Sequence, residues 1–94
     1  MKLEWSPLAL ADLSRFAEFL IENHPSLAAT IAAEIAFKAA ILEQQPRIGQ
    51  PILGRKKFRR IVLRAASAAY VLEYRTLGER VIIVRVFHAR EWRG

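Results

Sequence analysis

No cysteine occurs anywhere in this chain of 94 residues. That excludes a disulfide framework and a cysteine-held zinc. Histidine is almost as scarce. His24 and His88 are the only two, far apart along the chain, so no metal-ligand pattern exists and neither a metal nor another cofactor is expected. Acid is short as well: 9 Asp plus Glu stand against 15 Lys plus Arg, for a net charge of +6. Repeats and low-complexity segments are missing. No apolar run nears the roughly 18 residues of a membrane span, because charges recur throughout. The opening Met1-Lys2-Leu3-Glu4-Trp5 puts an acid and a tryptophan where a secretory leader needs an apolar centre. The expectation is a cytoplasmic protein without membrane association.

What is present is enough to fold. The chain is 53% hydrophobic and 26% charged, a composition that is neither disordered nor fibrous. Its length predicts one domain, residues 1–94, since no second core would fit. Eleven of the fifteen cations are arginine. A guanidinium offers a planar fork to phosphate or carboxylate, so the bias favours specific contacts over mere solubility.

The apolar periods place the elements. Leu3 to Trp5 reads as a short edge strand. Ser6-Pro7 is a helix start, with Ser6 as cap and Pro7 at the first helical position. From Leu8 to Asn23 the stripe Leu13, Phe16, Leu20 recurs at helical spacing, with Ala9 and Ala17 beside it and Asp12 favourable to the helix dipole. Pro25 ends this helix. A second helix, capped by Ser26, runs to about Gln45 and stops at Pro46. Its stripe is Leu27, Ile31, Ile35 and Leu42, flanked by alanines that permit close helix approach. Pro46 to Lys57 reads as a loop rich in breakers. Three strands follow, Phe58–Arg64, Ala69–Arg75 and Arg80–His88, the last two joined by a turn through Gly78. The predicted fold is α+β in the order β-α-α-β-β-β, a helical hairpin packed on a largely antiparallel sheet.

The strands carry the residues of interest. Arginine interleaves with Val, Ile, Leu and Tyr, and a sheet with that much fixed positive charge is built to meet something negative. Arg60 and Arg64 share one face of their strand. His88 aligns with Ile82, Val84 and Val86; it is either a hydrogen-bonded residue at the core's edge or an acid–base group. Arg85 aligns with Val81, Ile83 and Phe87 and is either a paired structural arginine, with Glu73 as partner across the ladder, or a functional one. Arg55-Lys56-Lys57 with Arg59 and Arg60 is the densest cationic run, either a solvated strand entry or a contact for nucleic acid or an acidic partner. Trp92 serves packing or contact.

Several strings, in order, resemble one family. Trp5-Ser6-Pro7 with Ala11-Asp12-Leu13, Ile41-Leu42 through Pro46 and Gly49, Arg60-Ile61-Val62, Tyr70-Val71-Leu72 with Tyr74-Arg75, and Val84-Arg85-Val86-Phe87-His88-Ala89-Arg90 are together similar to the ParE/RelE superfamily. These are the toxins of bacterial type II toxin–antitoxin modules. The resemblance implies a helical hairpin on a sheet and an inhibitory antitoxin from the same operon. It implies one of two activities: ParE-like members poison DNA gyrase, and RelE-like members cut messenger RNA in the ribosomal A site. Metal-free RNA cleavage needs a base, a stabiliser of the phosphorane and an acid. Under that alternative the catalytic candidates are His88, Arg60, Arg64 and Arg85. Val62 stands where RelE shows a second cation, Tyr70 where an arginine is wanted, and no tyrosine follows His88. The constellation is incomplete, which favours the gyrase poison, a protein that needs a binding surface rather than catalysts. The candidates for that surface are Arg60, Arg64, Arg85, His88, Arg90 and Trp92, arginine and tryptophan being enriched in interface hot spots. A basic interaction module without toxicity is the third reading. The antitoxin is expected to be acidic and disordered alone, ordering as it binds.

Overall fold

A computed structural model describes residues 1–93. The chain runs β1 (Lys2–Trp5), α1 (Pro7–Leu20), α2 (Pro25–Ala39), a 3-10 turn (Ala40–Glu43), β2 (Gln50–Ile52), β3 (Arg55–Ala65), β4 (Ala68–Leu77) and β5 (Arg80–His88). The five strands form one sheet in the order β1-β5-β4-β3-β2. Three of the four pairings are antiparallel, and β1 pairs with β5 in parallel. The helical hairpin covers one face, with α1 over β5 and α2 over β3. The α+β class and the largely antiparallel sheet are those the apolar periods indicate, with one strand, β2, added to the expected order.

Local chemistry explains most boundaries. The Ser6 hydroxyl accepts the Ala9 amide at 3.0 Å and donates to the Val84 carbonyl at 2.8 Å, so one side chain caps α1 and fixes it to β5. The helix ends at Leu20 rather than Asn23, and residues 21–23 form a turn. The cap of α2 is His24 rather than Ser26, because Pro25 takes the first helical position and shifts the start two residues earlier. Regular helix stops at Ala39 and tightens into the 3-10 turn before Pro46. Pro25–Glu43 is long and apolar enough, by length and composition, to cross a membrane, which corrects the expectation that no run nears that length. Its Ile31, Ile35, Ala39 and Leu42 instead lie buried in the core.

The predicted loop at Pro46 to Lys57 contains β2 and the first residues of β3. Glycine and proline marked it as loop, yet a short edge strand tolerates proline because one of its sides needs no amide donor. Gly49 lies there for a steric reason. A Cβ would sit 2.5 Å from the Arg60 carbonyl and 2.6 Å from the Tyr74 hydroxyl. The glycine amide donates to that hydroxyl at 2.9 Å, and burial pushes the Tyr74 phenol above its ordinary value.

Pairing between β4 and β5 is irregular at one point. Glu73 faces Arg85 and Tyr74 faces Ile83, so Val84 is an extra residue, a β-bulge. The bulge exchanges faces along β5. Val81, Ile83 and Val86 are buried in the core, and His88 falls in line with them rather than with Ile82 and Val84.

Candidate functional site

The bulge places Arg85 at the rim of β5, beyond the end of β1. Strand amides there have no strand partner, and two carboxylates take its place. Asp12 accepts the Val86 amide at 2.8 Å, and Glu91 accepts the His88 amide at 2.9 Å. Arg15 lies between them, 3.4 Å from Asp12 and 2.7 Å from Glu91. The Arg85 guanidinium grips both Asp12 oxygens, at 2.9 and 3.1 Å. Arg85 is therefore paired with Asp12 on α1, and its ladder neighbour Glu73 has other partners. Burial alone would raise the Asp12 pKa. The bonds from Arg85 and the Val86 amide, the charge of Arg85 and the bond from Arg15 outweigh it, and the carboxyl lies below its usual range. Asp12, whose sequence position indicated only a helix-dipole role, is the buried hinge pin between α1 and β5.

The sheet face opposite the helices carries Arg60, Val62 and Arg64 on β3 and Val71 and Glu73 on β4. Glu73 is only 5% exposed. The Trp92 indole donates to it at 2.8 Å and the Arg55 guanidinium at 3.0 Å. Residues after β5 thus cross this face, and Arg60 lies over the Trp92 ring at 4.9 Å while bonding the Gln50 amide oxygen at 2.7 Å. Trp92 packs half-buried against this face. Arg64 and Val62 remain open to solvent.

The helix side is incompletely covered. Between the end of α1, the start of α2 and the β3–β4 turn lies a groove of about 750 Å³, mostly apolar. Phe16, Phe19, Leu20, Leu27 and Tyr70 form its walls, and Arg15, His88, Arg90 and Glu91 its polar rim. The His88 ring stands edge-on to Tyr70 at 5.4 Å, and its Nδ1 accepts the Arg90 amide at 3.2 Å. Tyr70 is buried, which raises its phenol pKa, and the nearby Glu91 charge adds to that. The turn beneath, Ala66-Ser67, holds two non-glycine residues at φ of 50° and 61°.

The structure thus separates the candidate residues into three places. Arg60, Arg64 and Trp92 share the open face. His88 and Arg90 line the groove on the other side. Arg85 is held at the rim by Asp12. Sequence reasoning missed Asp12, Glu91 and the groove, because all depend on where a strand edge is left unpaired. No group of three or more potential metal ligands forms among the described residues.

This α+β arrangement defines a class of small proteins in which a helical hairpin covers one face of a five-stranded sheet. The family described as the ParE toxin of type II toxin–antitoxin system, parDE, matches residues 3–92, and the chain belongs to it. Solved structures show the same fold. The chromosomal ParDE system from P. aeruginosa has a similar chain at TM-score 0.76 and 20% identity, covering 94% of this chain and 95% of that one. The intact E. coli RelBE toxin–antitoxin complex has one at TM-score 0.63 and 21% identity, with coverage of 94% and 95%. The search of curated proteins gave no match.

Proposed function

We propose that this ParE-family toxin inhibits DNA gyrase and that a cognate antitoxin neutralises it. One observation carries the choice over mRNA cleavage. The ring of His88 lies on the helix side of the sheet against Tyr70, whereas Arg60 and Arg64 lie on the opposite face. A single scissile phosphate cannot reach a proton-transfer group on one face and its cationic stabilisers on the other. The remaining candidate, Arg85, is already gripped by Asp12. A surface of arginines beside a half-buried tryptophan suits protein binding.

The antitoxin belongs in the groove. Apolar walls of Phe19, Leu20 and Leu27 fit the apolar stripe of a segment that orders on binding. The rim cation Arg90, and the net charge of +6, suit an acidic partner. The setting is the bacterial cytoplasm, where gyrase works, and the biological role is stabilisation of the plasmid or locus that encodes the pair.

The test is a supercoiling assay with purified gyrase, run beside translating ribosomes. The expected result is loss of supercoiling with accumulation of cleaved DNA, unaffected by His88→Gln. Ribosome-dependent mRNA cleavage that His88→Gln abolishes would overturn the reading.

A further inference from the structure

A second concavity lies at the far end of the hairpin from the groove. Arg47 precedes β2, Lys56, Lys57 and Arg59 begin β3, and Arg75 and Thr76 end β4; together they line a cleft of about 280 Å³. None of its five cations has a carboxylate partner among the described residues, whereas Arg15, Lys38, Arg55, Arg80 and Arg85 each have one. Five like charges around one hollow repel one another, and no acid among the described residues pairs with them. Two of the five are held in place. Arg59 donates to the Gly49 carbonyl at 2.7 Å and the Arg47 carbonyl at 3.3 Å, which fixes its guanidinium and ties the loop to the strand. Arg75 stacks over the Phe58 ring at 5.5 Å, and its Nε is buried without an acceptor among the described residues.

We propose that this cleft binds the phosphates of a nucleic-acid backbone. Arginine forks, lysine point charges and the Thr76 hydroxyl are the donor set that phosphate oxygens take. A polymer fits better than a free anion, because unpaired cations continue beyond the cleft. Arg60 and Arg64 follow along β3, and neither has a carboxylate partner among the described residues. Such contacts position a backbone without reading its sequence.

The experiment uses the free chain with a short fluorescent DNA duplex and a labelled single-stranded RNA, read by anisotropy over a salt series. Lys56 and Lys57 are exposed, so Lys56→Gln with Lys57→Gln removes two charges while the fold is retained. Lys2→Gln with Arg93→Gln removes two charges elsewhere. The cleft pair is expected to weaken binding by roughly tenfold at low salt, and to reduce the slope of log K against log salt by about 1.8 on duplex. The control pair is expected to change both far less. Tighter binding of RNA than DNA would support the same phosphate site and assign its source. Equal weakening by both pairs would overturn the proposal in favour of diffuse charge. Binding of inorganic tripolyphosphate with neither nucleic acid bound would overturn it in favour of a free polyanion. No gyrase takes part, so failure here leaves the gyrase reading untouched.

Discussion

Asp12 accepts four bonds from three residues, Arg15, Arg85 and Val86, and is 4% exposed. Its removal leaves a strand amide unpaired and a guanidinium without its counter-charge. Asp12→Ala is therefore expected to lower unfolding free energy by about 2–4 kcal/mol, read by urea titration. Acid should act through the same group. Its folded pKa is depressed, so the stability it contributes is present above the unfolded value and is lost as pH falls through the folded one. Glu91 is displaced in the same direction, its burial outweighed chiefly by Arg15. Stability should fall as the pH drops below about 4, the unperturbed carboxylate range. In Asp12→Asn that fall should be shallower; an unchanged acid limb would show that the carboxylate is not the responsible group. Gly49 sets a second constraint at this scale. The Cβ of Gly49→Ala would meet backbone and a buried phenol, both immobile, at an expected cost of about 1–3 kcal/mol by thermal unfolding.

The β3–β4 hairpin closes through Ala66-Ser67, both in the left-handed region that a two-residue turn of this hand demands. Neither residue is suited to it, so the turn stores strain, while the Glu34 carboxylate holds the Ala66 amide at 3.2 Å. Ala66→Asn with Ser67→Gly should raise stability by about 0.5–2 kcal/mol in urea titration, and a neutral result would show the strain to be negligible. The turn also shows what the sequence could convey. Helices and main strands were legible because their apolar periods are long and regular, and Ser6-Pro7 announces α1 directly. Ala66-Ser67 carried only the weak turn preference of serine and no residue suited to positive φ. Strand β2 was hidden behind breakers whose edge position makes them harmless. The bulge at Val84 was invisible, and it alone reverses the faces of Arg85 and His88. Parity counted along β5 fails at one inserted residue. Arg60, Arg64 and Trp92 were legible as a surface; the division of the remaining candidates between rim and groove was not.

At the scale of the whole molecule, the two sides of one sheet present different surfaces. One is closed by Trp92 and fronted by arginine; the other opens beside the helical hairpin as an apolar groove with a charged rim. Under the proposed function an acidic antitoxin meets a chain of net charge +6, so association should be fast at low salt and should slow as salt screens the approach. Location and charge can be separated with one residue. Phe19 is 80% exposed and lines the groove, so it contributes almost nothing to the core of the free chain. Phe19→Asp should leave the unfolding free energy within about 0.5 kcal/mol of the parent. It should weaken binding to the antitoxin by roughly 10- to 100-fold, because it removes an apolar contact and adds a like charge where the proposed acidic segment would dock. Calorimetric titration against the product of the neighbouring gene measures this directly. Unaltered affinity with unaltered stability would move the antitoxin off the groove, and the arginine face beside Trp92 would then have to serve antitoxin and target in turn.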